Sequence, residues 1–183
     1  MQAAQSLRTH LNRLAVLSSL YVWAYFVTAY LVSPLQAALL PSVVMSLLFL
    51  PHGLRVLATW LYGWRSLAYL LPGALLCNLH FAGPRAFDPE IVAGTLASLL
   101  AAPLAFLLVR KAFPAASLAP GDTRLHHLVA TGILASLLNL SALKLAFGLA
   151  AAEGAVILLG DTAGLLLTLA LASATLRLMG RRI

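Results

Sequence analysis

Residues 46–71 read SLLFLPHGLRVLATWLYGWRSLAYLL. The stretch is apolar enough to lie in a membrane, yet it carries a Pro51-His52-Gly53 interruption and a cationic Arg55. A bilayer interior holds no water to satisfy loose backbone groups, so a chain interrupted there must face protein or a wet cavity. An arginine at the centre of a spanning helix costs roughly 2.5 to 3.5 kcal/mol on insertion scales, so Arg55 is expected to have a partner or a task.

Outward from this stretch the chain keeps the same character. Of its 183 residues, 62% are hydrophobic and 9% are charged, whereas soluble domains carry about a quarter charged residues. Such a chain cannot hide its apolar side chains in one soluble core. An all-α, polytopic transmembrane helix bundle is expected, with residues 1–183 forming a single integral membrane domain. Apolar runs at about residues 14–33, 36–62, 66–82, 90–109, 125–148 and 155–176 predict about six spans, each near the ~20 residues that cross hydrocarbon. The first run exceeds the ~7 to 15 residues of a secretory signal core and lacks a small-x-small cleavage site, so it reads as a retained span.

The basic residues give the direction. Arg8, Arg13, Arg65, Arg110, Lys111, Arg124, Arg177, Arg181 and Arg182 all fall on the side of the N-terminus, and Arg85 alone falls in an opposite loop. Because cytoplasmic flanks are enriched in Lys and Arg, both termini are expected to be cytoplasmic, in a bacterial inner membrane. The net charge of +7 therefore reflects topology; the basic residues form no patch interleaved with aromatics, and no nucleic-acid partner is expected.

The second run, 36–62, is too long for an upright helix and contains Pro41 as well as the Pro51-His52-Gly53 break. Two half-helices meeting inside the membrane are expected, with a kink or a short unwound segment near residues 49–53. Two readings stand at this point, a packing kink and a broken helix that lines a ligand cavity. Elsewhere, Asp88-Pro89-Glu90 has the chemistry of a helix start, with Asp88 as the cap. Pro114, Pro120 and Gly121 break the chain before the fifth span, which Asp122 or Thr123 can cap.

Five ionisable positions inside the spans call for an explanation: His52, Arg55, His80, Lys144 and Asp161, with the amides Asn78 and Asn139 for company. Counting depth along each helix places Lys144 and Asp161 in the outer half, where they are expected to pair, while Arg55 has no acid level with it. A bound anion would satisfy whichever cation Asp161 leaves over. Gly160 and Gly164 form a small-xxx-small pair that admits a close neighbour. The candidate ligand-binding or structural polar site is thus Pro51, His52, Gly53, Arg55, Lys144, Gly160, Asp161 and Gly164.

No metal site, cofactor or enzymatic activity is expected. The adjacent His126 and His127 point ~100° apart on a helix and cannot readily clamp one ion. No nucleophile elbow, acid pair or phosphate loop occurs. The single cysteine, Cys77, excludes an internal disulfide and reads as a small core residue.

Four short motifs resemble, in order and spacing, a bacterial integral membrane sensory domain of the MASE type, the first type of membrane-associated sensor. Leu50-Pro51-His52-Gly53 corresponds to its Trp-Pro-small-Gly motif. Gly63-Trp64-Arg65 is similar to its Gly-Arg turn, and Pro72-Gly73-Ala74 to its Pro-Gly helix. Gly160-Asp161-Thr162-Ala163-Gly164-Leu165-Leu166-Leu167 is similar to its Gly-Asp-containing, leucine-rich run. Leu50 replaces the family's tryptophan, and Thr168-Leu169 stand where a proline is common. The resemblance implies a sensory module, and with no output domain following Arg181-Arg182-Ile183 a stand-alone one is expected.

Three functions fit these features. The first is a non-enzymatic membrane sensory or ligand-binding module acting through a separate membrane partner. The second is the substrate-binding component of a small-molecule transporter, and the third is a structural or assembly subunit of a larger membrane complex. The expected partners are membrane lipids, another integral membrane protein or complex, and a small anionic ligand.

Overall fold

A computed structural model describes residues 2–43, 45–114, 118 and 124–178, and no strand occurs among them. The fold is an all-α bundle of the membrane-span type. Its elements are α1 (Gln2–Val27), a π-helical turn (Thr28–Val32), α2 (Ser33–Leu39), α3 (Leu50–Tyr62) and α4 (Arg65–Ala82). A 3-10 turn (Gly83–Phe87), α5 (Pro89–Ala112), α6 (Leu125–Phe147) and α7 (Ala151–Leu178) follow. Among the described residues five helical segments are long and apolar enough to cross a membrane. Exposed leucines such as Leu31, Leu35, Leu159 and Leu171 coat the outside, a surface that suits hydrocarbon and not water.

The second run departs most from expectation. Residues 36–39 belong to the first helical rod, which continues through the π turn to Leu39, and the described residues from 40 to 49 are not helical. Instead of two half-helices there is one, α3, whose 13 residues reach ~20 Å at ~1.5 Å per residue, short of the ~30 Å hydrocarbon core. Pro51 does not kink a helix. It sits in the first turn of α3, where a missing N–H costs nothing.

The irregular segment survives among apolar side chains because its backbone is hydrogen-bonded by its surroundings. Gln36 Nε2 donates to the carbonyls of Val43 (3.0 Å) and Met45 (2.8 Å), and its Oε1 accepts from Leu47 N (2.6 Å). Phe49 N donates to the Gly160 carbonyl at 2.9 Å, and Leu50 N to Thr28 Oγ1 at 3.3 Å. Thr28 opens the π turn, in which Ser33 N bonds back to the Thr28 carbonyl ahead of Pro34. One buried threonine thus joins the rod to the start of α3.

Contacts fix the directions. Leu50 meets Thr28 while Arg13 stacks on Tyr62, with Cζ 5.2 Å from the ring centroid, so α3 runs antiparallel to α1. Phe49, just ahead of α3, meets Gly160 while Gly53 faces Thr168, so α3 and α7 run parallel. The start of α1 and the end of α7 therefore lie at one end of the bundle, called here the near end. Buried α3 is the hub: Leu54 and Ala58 pack with Leu17, Tyr21, Leu70 and Ala74 of α1 and α4. On its other side Val56 and Trp60 pack with Ala102, Phe106, Ala135 and Leu165 of α5, α6 and α7.

Turn chemistry explains the remaining ends. Gly63 and Gly83 close α3 and α4 with φ of 58° and 56°, a region open to glycine. Asp88 does occupy the position before α5, with Pro89 and Glu90 in the first turn, but its carboxylate makes no cap. It accepts instead from Arg85 Nε at 2.9 Å, which holds the exposed Arg85 guanidinium protonated beyond its usual range. The expected breakers Pro120 and Gly121 and caps Asp122 and Thr123 lie outside the described residues.

Pro72, inside α4, opens the helix, and α1 fills the gap. Ser18 Oγ donates to the Tyr69 carbonyl at 2.8 Å and accepts from Gly73 N at 3.3 Å, bridging the two groups that an unbroken turn would join directly. Ser18→Ala should therefore destabilise the bundle by about 1 to 3 kcal/mol, the cost of leaving buried partners unsatisfied. Thermal unfolding in nanodiscs reads this as a lowered midpoint. Ser141→Ala, which removes an exposed hydroxyl bonded only within α6 to Leu137, should leave the midpoint in place.

Candidate functional site

His52, Arg55 and Asp161 converge where α3 begins. His52 and Arg55, one turn apart on α3, are both 2% exposed, and Asp161, about 15 Å into α7 at ~1.5 Å per residue, is 1% exposed. His52 Nε2 donates to the Gly132 carbonyl of α6 at 3.0 Å, while Nδ1 lies 3.4 Å from Asp161 Oδ2. Ser136 of α6 donates to the same carboxylate oxygen at 2.7 Å. The site is thus a junction of α3, α6 and α7.

The glycines make this junction possible by letting backbone meet backbone. A Cβ on Gly160 would strike the Ser46 carbonyl, one on Gly164 the Phe49 carbonyl, and one on Gly53 the side chain of Thr168. Gly160 and Gly164 do admit a close neighbour, but it is the non-helical segment 46–49 that leads into α3 and not the flank of a helix. Pro51, His52, Gly53, Gly160, Asp161 and Gly164 come together here, with Arg55 one turn along.

Lys144 does not join them. It is exposed in the last turn of α6, where a cation complements the helix dipole. The expected Lys144–Asp161 pair is replaced by His52 and Ser136, because level depth on two helices does not bring two faces together. His80 also stands apart, accepting or donating a 2.6 Å hydrogen bond with Tyr30 in an exposed aromatic cluster with Phe26 and Phe81.

Arg55 has no carboxylate within 4.0 Å among the described residues. Nη1 donates to the Ser98 carbonyl at 3.0 Å, and Cζ sits 5.7 Å from the centroid of the Phe49 ring, within cation–π reach. Its Nε and Nη2 are buried and have no hydrogen-bond partner among the described residues. Arg55 and Asp161 both line a cavity of about 650 Å³ that extends to Ser33, Met45 and Leu149 at the far end of the bundle. That volume lies in the ~300 to 1,000 Å³ range of small-molecule sites.

Amides and hydroxyls punctuate an otherwise apolar wall. Asn78 Nδ2 donates to Thr95 Oγ1 at 2.9 Å, and Ser98 Oγ donates to Asn139 Oδ1 at 2.6 Å. All four line the cavity, as do Tyr21, Tyr25, Phe49 and Phe147. Sequence reading missed Gln36, Thr28, Ser98 and Ser136. Gln36 had a visible signal, a long amide two residues after the Ser33-Pro34 pair and just before a proline-containing apolar run; the hydroxyls have none, since serines and threonines inside helices ordinarily bond their own preceding turn.

Among the described residues no three His, Cys, Asp or Glu side chains gather as metal ligands would. No protein-family model, curated protein or solved structure matches the chain.

Proposed function

We propose that the chain is a non-enzymatic integral membrane module that binds a small molecule in the α3–α7 cavity and passes that state to a separate membrane protein. One observation carries the reading: a buried guanidinium lines a ligand-sized cavity, and two of its nitrogens have no partner among the described residues. Orphaned buried donors are costly, about 1 to 3 kcal/mol or more each when charged, and a ligand with acceptor atoms repays that cost. Arg55 also belongs to the hub helix, so force on its guanidinium acts on both core clusters at once.

The resemblance to MASE-type sensors supports the same reading, since its first and last motifs are the two segments that meet at the site. The basic residues at the near end support a cytoplasmic placement of both ends in a bacterial inner membrane. A second reading, the substrate-binding component of a transporter, is favoured by the half-helix α3, because discontinuous helices that start near the bilayer midplane build transporter substrate sites.

Native mass spectrometry from nanodiscs tests the binding reading. The wild type should retain a small molecule that Arg55→Leu loses. A wild type that carries only lipid, with a spectrum matching that of Arg55→Leu, overturns it.

A further inference from the structure

Most polar groups on the cavity wall are spent on each other. Asn78 and Thr95 are bonded together through both ends of the amide, at 2.9 and 3.2 Å. Ser33 Oγ donates to the Thr28 carbonyl at 3.0 Å, and Ser46 Oγ to the Leu48 carbonyl at 3.1 Å. Ser98 Oγ donates to Asn139 Oδ1, which leaves the other end of that amide, Nδ2, with N–H groups and no acceptor among the described residues. The Tyr21 hydroxyl is likewise without a hydrogen bond among them.

These two free donors face open space. Among the described residues, the side-chain atoms that are both buried and unpartnered are Arg55 Nε and Nη2 and His127 Nδ1. Neither Tyr21 Oη nor Asn139 Nδ2 is one of them, so each keeps accessible surface although its residue is only 4% or 3% exposed. Both residues line the cavity, and the cavity is therefore the space that their free donors meet. Tyr21 belongs to α1, which packs mainly on α3 and α4, and Asn139 to α6, which packs mainly on α5 and α7. An occupant lying between the two groups of helices thus meets a donor from each wall. On the α1 side the Tyr21 ring stands 6.1 Å from that of Tyr25, which meets Phe49 edge-on at 5.5 Å, a surface that suits a flat apolar body.

We infer that the cavity binds an uncharged, flat apolar molecule of the ketone or quinone class, its carbonyl oxygen accepting from the Tyr21 hydroxyl and from Asn139 Nδ2. The inference rests on the binding reading above and adds the ligand's class. An amide N–H can only donate, so its complement on the ligand is an acceptor. Both donors are neutral groups set in an apolar wall. A carbonyl loses little on leaving water when two such donors receive it, whereas a full charge loses far more. Asp161, whose Oδ2 accepts from Ser136, is an acceptor on the same wall, so an alcohol in place of the ketone is the alternative to be separated by experiment.

Four probes of one tricyclic frame test it: fluorenone, fluorene, fluorenol and fluorene-9-carboxylate, each titrated into the intact protein in nanodiscs with empty nanodiscs as the blank. The ketone should bind at least about tenfold more tightly than fluorene, because the hydrocarbon leaves both donors unpaired, and more tightly than the alcohol or the acid. Infrared difference spectra should show the carbonyl stretch of bound fluorenone below its position in empty nanodiscs. Tyr21→Phe, which removes one hydroxyl and keeps the ring, should return the stretch part of the way and weaken binding. The probe comparison uses unaltered protein, so it does not depend on any variant folding. Equal binding of fluorene, or an unshifted stretch, overturns the hydrogen-bonded carbonyl, and a stretch that ignores Tyr21→Phe overturns the assigned donor. Equal or tighter binding of the alcohol overturns the acceptor assignment, and of the acid the uncharged one. Failure of all four to bind overturns the inferred class, while the binding reading itself stands or falls separately on the small molecule that mass spectrometry finds.

Discussion

Gly164→Ala should strip the bundle of its hub. The new methyl group would occupy the space of the Phe49 carbonyl, which is backbone and cannot rotate away. Either segment 46–50 leaves α7, breaking the 2.9 Å bond from Phe49 N to the Gly160 carbonyl, or α3 moves with it. Overpacking alone costs about 1 to 3 kcal/mol, and more when the obstacle cannot rearrange. With the lost hydrogen bond added at about 1 kcal/mol, a destabilisation of about 3 kcal/mol or more is expected. Gly154→Ala is the matched control: its methyl would meet the tip of the Leu140 side chain at 3.2 Å, a flexible end that can yield. The sole cysteine supplies a local readout. Cys77 is buried in the cluster that includes Leu54 and Ala58 of α3, so undocking of α3 should speed its reaction with a maleimide severalfold in Gly164→Ala and leave it slow in Gly154→Ala. Equal labelling and equal unfolding midpoints in the two variants would remove the backbone seat on α7 from the account of this fold.

That seat also shows where sequence reading reaches its limit. Lengths of apolar runs report how much chain lies in hydrocarbon, and they located α4, α5, α6 and α7 well, because a lipid-facing helix has no alternative way to satisfy its backbone. Between residues 40 and 49 the same composition misleads. A non-helical segment packed against helices is as apolar as a helix, and no periodicity separates the two over so short a stretch. What distinguishes them is the set of partners, Gln36, Thr28 and the carbonyl of Gly160, and those come from other elements. The Pro51-His52-Gly53 motif marked the right place with the wrong mechanism, since a proline that starts a helix and a proline that breaks one look alike in sequence. Lys144 failed for a related reason. Depth along a helix can be counted from its ends, but which way a side chain faces depends on packing, and the face of α7 that bears Asp161 turned toward α3 and away from Lys144. The grouping of Pro51, His52 and Gly53 with Asp161 was legible as a candidate polar site; the meeting of Ser136 and His52 at the Asp161 carboxylate was not, because nothing in the chain announces which two helices flank an acid.

The His52–Asp161 contact makes the sharpest energetic prediction. Removing one member of a buried polar pair strands the other, at a typical cost of about 3 to 5 kcal/mol, whereas replacing both by apolar groups of similar volume is often near neutral. Asp161→Leu alone should fall in the costly class: it leaves Nδ1 of His52 and the hydroxyl of Ser136 buried without their acceptor. His52→Leu alone should cost less than Asp161→Leu, because Ser136 still donates to the carboxylate, while the Gly132 carbonyl loses its 3.0 Å donor. The double variant is the decisive one. If the two groups hold a proton between them, His52→Leu with Asp161→Leu should be more stable than the sum of the single losses by at least about 1 kcal/mol, a coupling typical of residues in direct contact. Thermal or denaturant unfolding of the four proteins in one nanodisc composition gives this number, and the cycle cancels any general effect of added leucine on insertion. Strict additivity would mean that the 3.4 Å approach carries no interaction energy.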